Sequence, residues 1–149
     1  VATIWLSGVH ITAGTVKLND SYFNGATYDT YSWRQLVMCQ EIGHTFGLDH
    51  QDENFDNTNL GSCMDYTSNP ADNVKPNQHD YDQLASIYLH RDTTTTVSQS
   101  AAQLPAELDD PDLSEPPQWG KRIKRSRDGR HETYARDLGN GRQVHTFVF

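Results

Sequence analysis

Residues 39–50 read Cys39-Gln40-Glu41-Ile42-Gly43-His44-Thr45-Phe46-Gly47-Leu48-Asp49-His50. On an α-helix, positions four apart stand one turn above each other, so a helix here aims Gln40 and His44 the same way, with Glu41 beside them. Gly47 suits the left-handed residue that ends a helix, and the sharp turn it permits brings His50 back over that face. An amide, a carboxylate and two imidazoles at this spacing have the layout of a metal site.

The residues just upstream carry helix-start signals. Ser32 as N-cap with Gln35 three positions later makes a capping box, and Tyr31 is placed to staple against Leu36. A helix over 33–47 follows, with Leu36, Val37, Ile42 and Phe46 on its core side and Gln40 and His44 on its cleft side.

Glu41, His44, Gly47 and His50 resemble four positions of the metzincin pattern H-E-x-x-H-x-x-G-x-x-H, with Gln40 standing where the first histidine is expected. Ser62-Cys63-Met64-Asp65-Tyr66 resembles the family's Met-turn, in the form most similar to the pappalysin branch. The resemblance implies Zn2+ held by Gln40, His44 and His50, with Met64 beneath the metal. It implies Glu41 as general base toward a water whose pKa zinc lowers to about 7, and Tyr66 as a donor to the oxyanion. The function implied is a zinc-dependent endopeptidase acting on peptide or protein substrates. Gln40 is the departure, because a neutral amide oxygen lies outside the usual zinc set of Cys, His, Asp and Glu. The alternative is therefore a catalytically weak or inactive metzincin-like binding module with a degenerate metal site. The intact Glu41 favours the enzyme.

The expected fold class is α+β: a metzincin-like catalytic domain, truncated at its N-terminal side because only 32 residues precede the helix, plus a small C-terminal β-hairpin or meander. Residues 2–7 and 15–19 read as strands, the first implied by the resemblance to be the cleft-rim edge strand. His10 between them has no ligand spacing and reads as a turn or surface residue. Residues 51–60 are an acidic, Asn-rich loop, in which Asp52, Glu53 and Asp56 are either Ca2+ ligands or solvated acids, without EF-hand spacing. Turn-rich segments at 68–72 and 75–78 suit a specificity-pocket wall. His79 to His90 has helical periodicity, with Asn77 or Asp80 as its cap. The domain expectation is a catalytic core over 1–91, a linker over 92–118 and a β-rich segment over 119–149, with turns at Asp128-Gly129 and Gly139-Asn140-Gly141.

A 149-residue chain can bury one core and carry a small appendage. Its mean hydropathy is −0.76, and no stretch is apolar and long enough to span a membrane. Charge is unevenly spread: residues 1–117 hold four Lys or Arg against seventeen Asp or Glu, whereas residues 118–149 hold eight against three. Acids and turn residues interrupt the basic tail, which argues against nucleic-acid binding and for a solvated hairpin. Cys39 and Cys63 immediately precede Gln40 and Met64, so a fold that apposes the helix and the Met-turn also brings the thiols together. Either they form a disulfide or they remain two buried thiols. The disulfide is the expectation. It closes a loop of about 25 residues, contributes on the order of 3 kcal/mol, and suits a secreted protein. Cys39 itself lies about 100° around the helix from Gln40, away from the ligand face.

Overall fold

A computed structural model describes residues 1–90, 113 and 115–148. Most of the expected linker, residues 92–112 and 114, lies outside the described residues, as does Phe149. Five strands, β1 (Ala2–Ser7), β2 (His10–Val16), β3 (Lys121–Arg125), β4 (Glu132–Gly139) and β5 (Arg142–Val148), form one antiparallel sheet in the order β2-β1-β5-β4-β3. The helices are α1 (Asp20–Phe23), α2 (Tyr31–Thr45) and α3 (Gln78–Ile87).

This arrangement corrects the expected fold class. The C-terminal meander exists, but it is not an appendage to a metzincin-like catalytic domain. Its last strand pairs with the first strand of the chain, from Ala2↔Phe147 to Ser7↔Arg142, so the two ends of the sequence share one sheet. The second strand also starts earlier than periodicity suggests. It runs from His10, directly after the turn at Gly8, and ends at Val16, while Asp20–Phe23 is helical under an Asn19 cap.

Helix α2 is capped by Thr30, whose hydroxyl accepts from the Trp33 amide at 3.3 Å, and not by Ser32. Both residues can cap, and Thr30 has the extended backbone that an N-cap requires. Tyr31 is exposed and forms no buried staple, whereas Leu36 and Val37 are buried. They pack with Phe23 against Leu18, Tyr28 and Trp33. Ile42 and Phe46, expected in the core, stay 42% and 51% exposed. A second core cluster is made of Leu48, Cys63 and Met64 with Cys39 and Leu84 beside it, and the sheet adds buried Ala2, Ile4, Trp5 and Val144.

A disulfide joins Cys39 to Cys63, with Cα atoms 5.9 Å apart. It ties α2 to the segment that carries Met64. Asp80, fully buried in the first turn of α3, fixes that segment from the other side. Its carboxylate accepts from Ser62 Oγ at 2.5 Å, Gln51 Nε2 at 2.8 Å and the Asn77 amide at 2.8 Å. Asn77 is the N-cap of α3, and Asp80 completes the capping box.

Candidate metal centre

Gln40, Glu41 and His44 are all buried on α2, at 2–3% exposure. After Thr45 the helix ends and Gly47 adopts φ +87°, the left-handed conformation its position predicts. The turn brings His50 back so that its Nε2 lies 3.1 Å from His44 Nε2. Met64 is fully buried below α2, where Gly43 makes room: a Cβ on that glycine would meet Met64 Sδ at 2.5 Å. The chain thus brings Glu41, His44, His50 and Tyr66 into one region, with Met64 beneath α2 and Gln40 buried one turn before His44.

The proton positions follow from the partners. His44 Nδ1 lies 2.8 Å from the Leu48 carbonyl, which can only accept, so this nitrogen carries the proton and Nε2 presents a lone pair. His50 then donates from Nε2 toward His44, and its Nδ1 accepts from the Tyr66 hydroxyl at 3.3 Å. Burial holds both imidazoles below the usual histidine range, and it raises the Tyr66 phenol well above its own, assisted by the nearby Glu53 carboxylate. All three are neutral at pH 7. The two Nε2 atoms are thus joined by a hydrogen bond of 3.1 Å, with His44 oriented by a backbone carbonyl on its far side, the partner that a metal-binding histidine commonly has. Among the described residues no group of three or more His, Cys, Asp or Glu is arranged to hold a metal. Gln40, the remaining expected donor, is buried on α2 one turn before His44.

Glu41 is pushed up to about 7, principally by burial, against the pull of the Val1 ammonium and the Ala2 amide. Its Oε1 stands 3.5 Å from the Val1 nitrogen. A carboxyl with this pKa exchanges protons readily near neutrality.

Sequence reasoning missed His131. The β3–β4 hairpin inserts it at 7% exposure, stacked on Tyr66 at a centroid distance of 4.0 Å and 5.0 Å from the His50 ring. Burial drives its pKa down to about 3, against the opposing charge of Asp128. Its only local signal is its place just after the Asp-Gly turn, which does not announce a partner 65 to 81 residues earlier. Phe147 was also missed. Its ring lies flat on the His44 imidazole, with centroids 4.7 Å apart and planes within 3°.

Two of the three acids expected as either Ca2+ ligands or solvated acids have protein partners. Asp52 accepts from the Asn54 amide and Asn57 Nδ2, and Glu53 pairs with Lys124 at 3.1 Å. Asp56 lines an open surface pocket with Phe55 and Asp128. His10 and His79 lie in exposed positions. No helix among the described residues is long and apolar enough to cross a membrane. No protein-family model, curated protein or solved structure matches this chain.

Proposed function

We propose that the chain is a metal-dependent endopeptidase, related to the metzincins through its site residues and not through its sheet, in which His44, His50 and the Gln40 amide hold a zinc ion. The observation that carries the reading is the 3.1 Å approach of the two imidazole Nε2 atoms, with His44 oriented by the Leu48 carbonyl. A divalent ion there supplies Lewis acidity toward a peptide carbonyl and toward water. The chain's own residues supply the rest. Glu41, buried beside His44 with its carboxyl at about 7, takes a proton from water and returns it to the leaving amine. Tyr66, held protonated, offers an O–H at the same site and steadies His50 through Nδ1. For His50 to offer its Nε2 lone pair, its proton moves to Nδ1 and Tyr66 changes from donor to acceptor. That switch needs no movement of heavy atoms.

Export fits the Cys39–Cys63 disulfide. The substrate class is an extended peptide or protein segment. Two measurements test the proposal: zinc content of protein purified without chelators, and hydrolysis of a fluorogenic peptide library by the parent and by Glu41→Gln. Glu41→Gln is expected to keep its zinc while losing at least about a hundredfold in hydrolysis, since the carboxylate acts on water and does not bind the ion. A parent that binds no zinc would make the chain a binding module.

A further inference from the structure

Strand β1 has two edges, and both are taken. β2 holds one and β5 holds the other, in the register Ala2↔Phe147, Thr3↔Thr146, Ile4↔His145. The Val1 nitrogen, one residue before Ala2, lies 3.5 Å from Glu41 Oε1, so the start of β1 and the strand position opposite Ala2 lie beside the base. Phe147 occupies that position, with its ring covering His44. Between Glu41, His44 and His50 on one side and His131, Phe147 and Val148 on the other there remains a void of about 10 Å³. That is space for roughly one water and for no part of a peptide. An extended chain bringing a peptide bond to Glu41 must therefore take the strip of β1 that β5 now holds.

β5 seats as a bound peptide would. Its main chain pairs with β1 along the whole strand, Val144 and Thr146 are fully buried, and Phe147 supplies the aromatic contact. Its seat also carries a cost, and its other edge belongs to the meander that would leave with it. The Thr146 hydroxyl is buried with no hydrogen-bond partner among the described residues, which costs its desolvation without return. β3, at the far edge of the meander, is exposed along its length and reaches the body of the protein through the solvent-exposed Lys124, which pairs with Asp49 and Glu53.

We propose that β5 is a resident occupant of the substrate position: residues 142–148 hold, in cis, the place of an extended peptide carrying an aromatic side chain over His44, and hydrolysis requires the strand to leave. The inference rests on the peptidase reading above and adds to it a substrate preference and a means of regulation.

The test uses the full chain and two readouts. In the first, zinc-loaded parent and Phe147→Asp are compared on a fluorogenic peptide with Thr-Phe at its centre. The variant is expected to gain about tenfold or more in kcat/KM, and a synthetic peptide of residues 142–148 is expected to inhibit it competitively. A folded Phe147→Asp protein no more active than an active parent overturns the inference. The second readout does not depend on hydrolysis or on the variant folding. Amide hydrogen exchange of the parent is followed as the same synthetic peptide is added. Exchange across 142–148 should rise several-fold while 2–7 stays protected, because the peptide replaces one strand with another. Unchanged exchange at saturating peptide overturns the inference. Absence of zinc binding and hydrolysis in both proteins overturns the peptidase reading, and strand displacement then still decides whether β5 is a replaceable occupant.

Discussion

Lys124 Nζ lies 2.7 Å from Asp49 Oδ2, an ion pair between residues 75 positions apart, one on the basic meander and the other next to the candidate ligand His50. The same ammonium reaches Glu53 at 3.1 Å. The uneven charge of the sequence thus has a structural use, with the basic tail docked on the acidic loop that follows α2. Both side chains remain well exposed, so the pair's contribution to stability is small. A double-mutant cycle with Asp49→Ala and Lys124→Ala is expected to give a coupling of about 0.2–1 kcal/mol that shrinks in 1 M salt. Coupling of several kcal/mol, insensitive to salt, would contradict a screened surface contact.

Gly43 leaves the space that Met64 fills below the site. A Cβ at Gly43 meets a sulfur atom of a fully buried side chain, so the thioether has to turn away in a packed environment. Gly43→Ala is expected to destabilise by about 1–3 kcal/mol despite alanine's better helix propensity. In a Met64→Ala background the same change should cost less, with a coupling of at least about 0.5 kcal/mol measured by urea unfolding. Equal costs in both backgrounds would mean that the two residues do not share the space.

Local chemistry made much of this site legible in the sequence. The i, i+4 spacing of Gln40 and His44, the left-handed Gly47 and the Asn77 cap each act within a few residues, and the structure has each of them. The pairing of β1 with β5 joins residues 2–7 to 142–148, and two strands that meet across the length of the chain carry no mutual mark in composition or period. The same holds for His131 and Phe147, whose roles exist only once that sheet closes. Residues 10–14 hide their strand for a different reason. Gly14 interrupts the strand pattern, and its place is explained by α2, since a Cβ there would meet Thr45 Cβ at 2.9 Å.

His131 also carries a pH prediction. Its folded pKa of about 3 lies below the unfolded value of about 6.5, so between these values the unfolded chain binds more protons than the folded one. The stability owed to a neutral, buried His131 is complete above pH 6.5 and is lost as pH falls toward 3. Glu41, raised to about 7, acts in the opposite sense between 4.5 and 7, so the informative quantity is the difference between the parent and His131→Gln. That difference should fall with decreasing pH from about 6.5, by at most one proton's worth, about 1.4 kcal/mol per pH unit. Parallel stability curves for the two proteins across pH 4–7 would show that His131 does not change protonation on unfolding.

Gln40 is where the proposed ligand set departs from three imidazoles, and changing it probes the metal reading most directly. It is buried at 2% exposure one helical turn before His44. Histidine is close to glutamine in size and has the same direction on the helix, so Gln40→His should fold with little loss. It replaces a neutral amide oxygen by a nitrogen donor that zinc prefers, and affinity should rise by about tenfold or more, roughly 1.4 kcal/mol per decade. Competition with a chromophoric chelator measures this without reference to activity. Hydrolysis at limiting zinc should increase alongside. If Gln40→His binds zinc no more tightly than the parent while remaining folded, Gln40 does not face the ion. The approach of His44 and His50 would then be a buried hydrogen bond between two neutral rings, oriented by Leu48 and Tyr66 for packing alone.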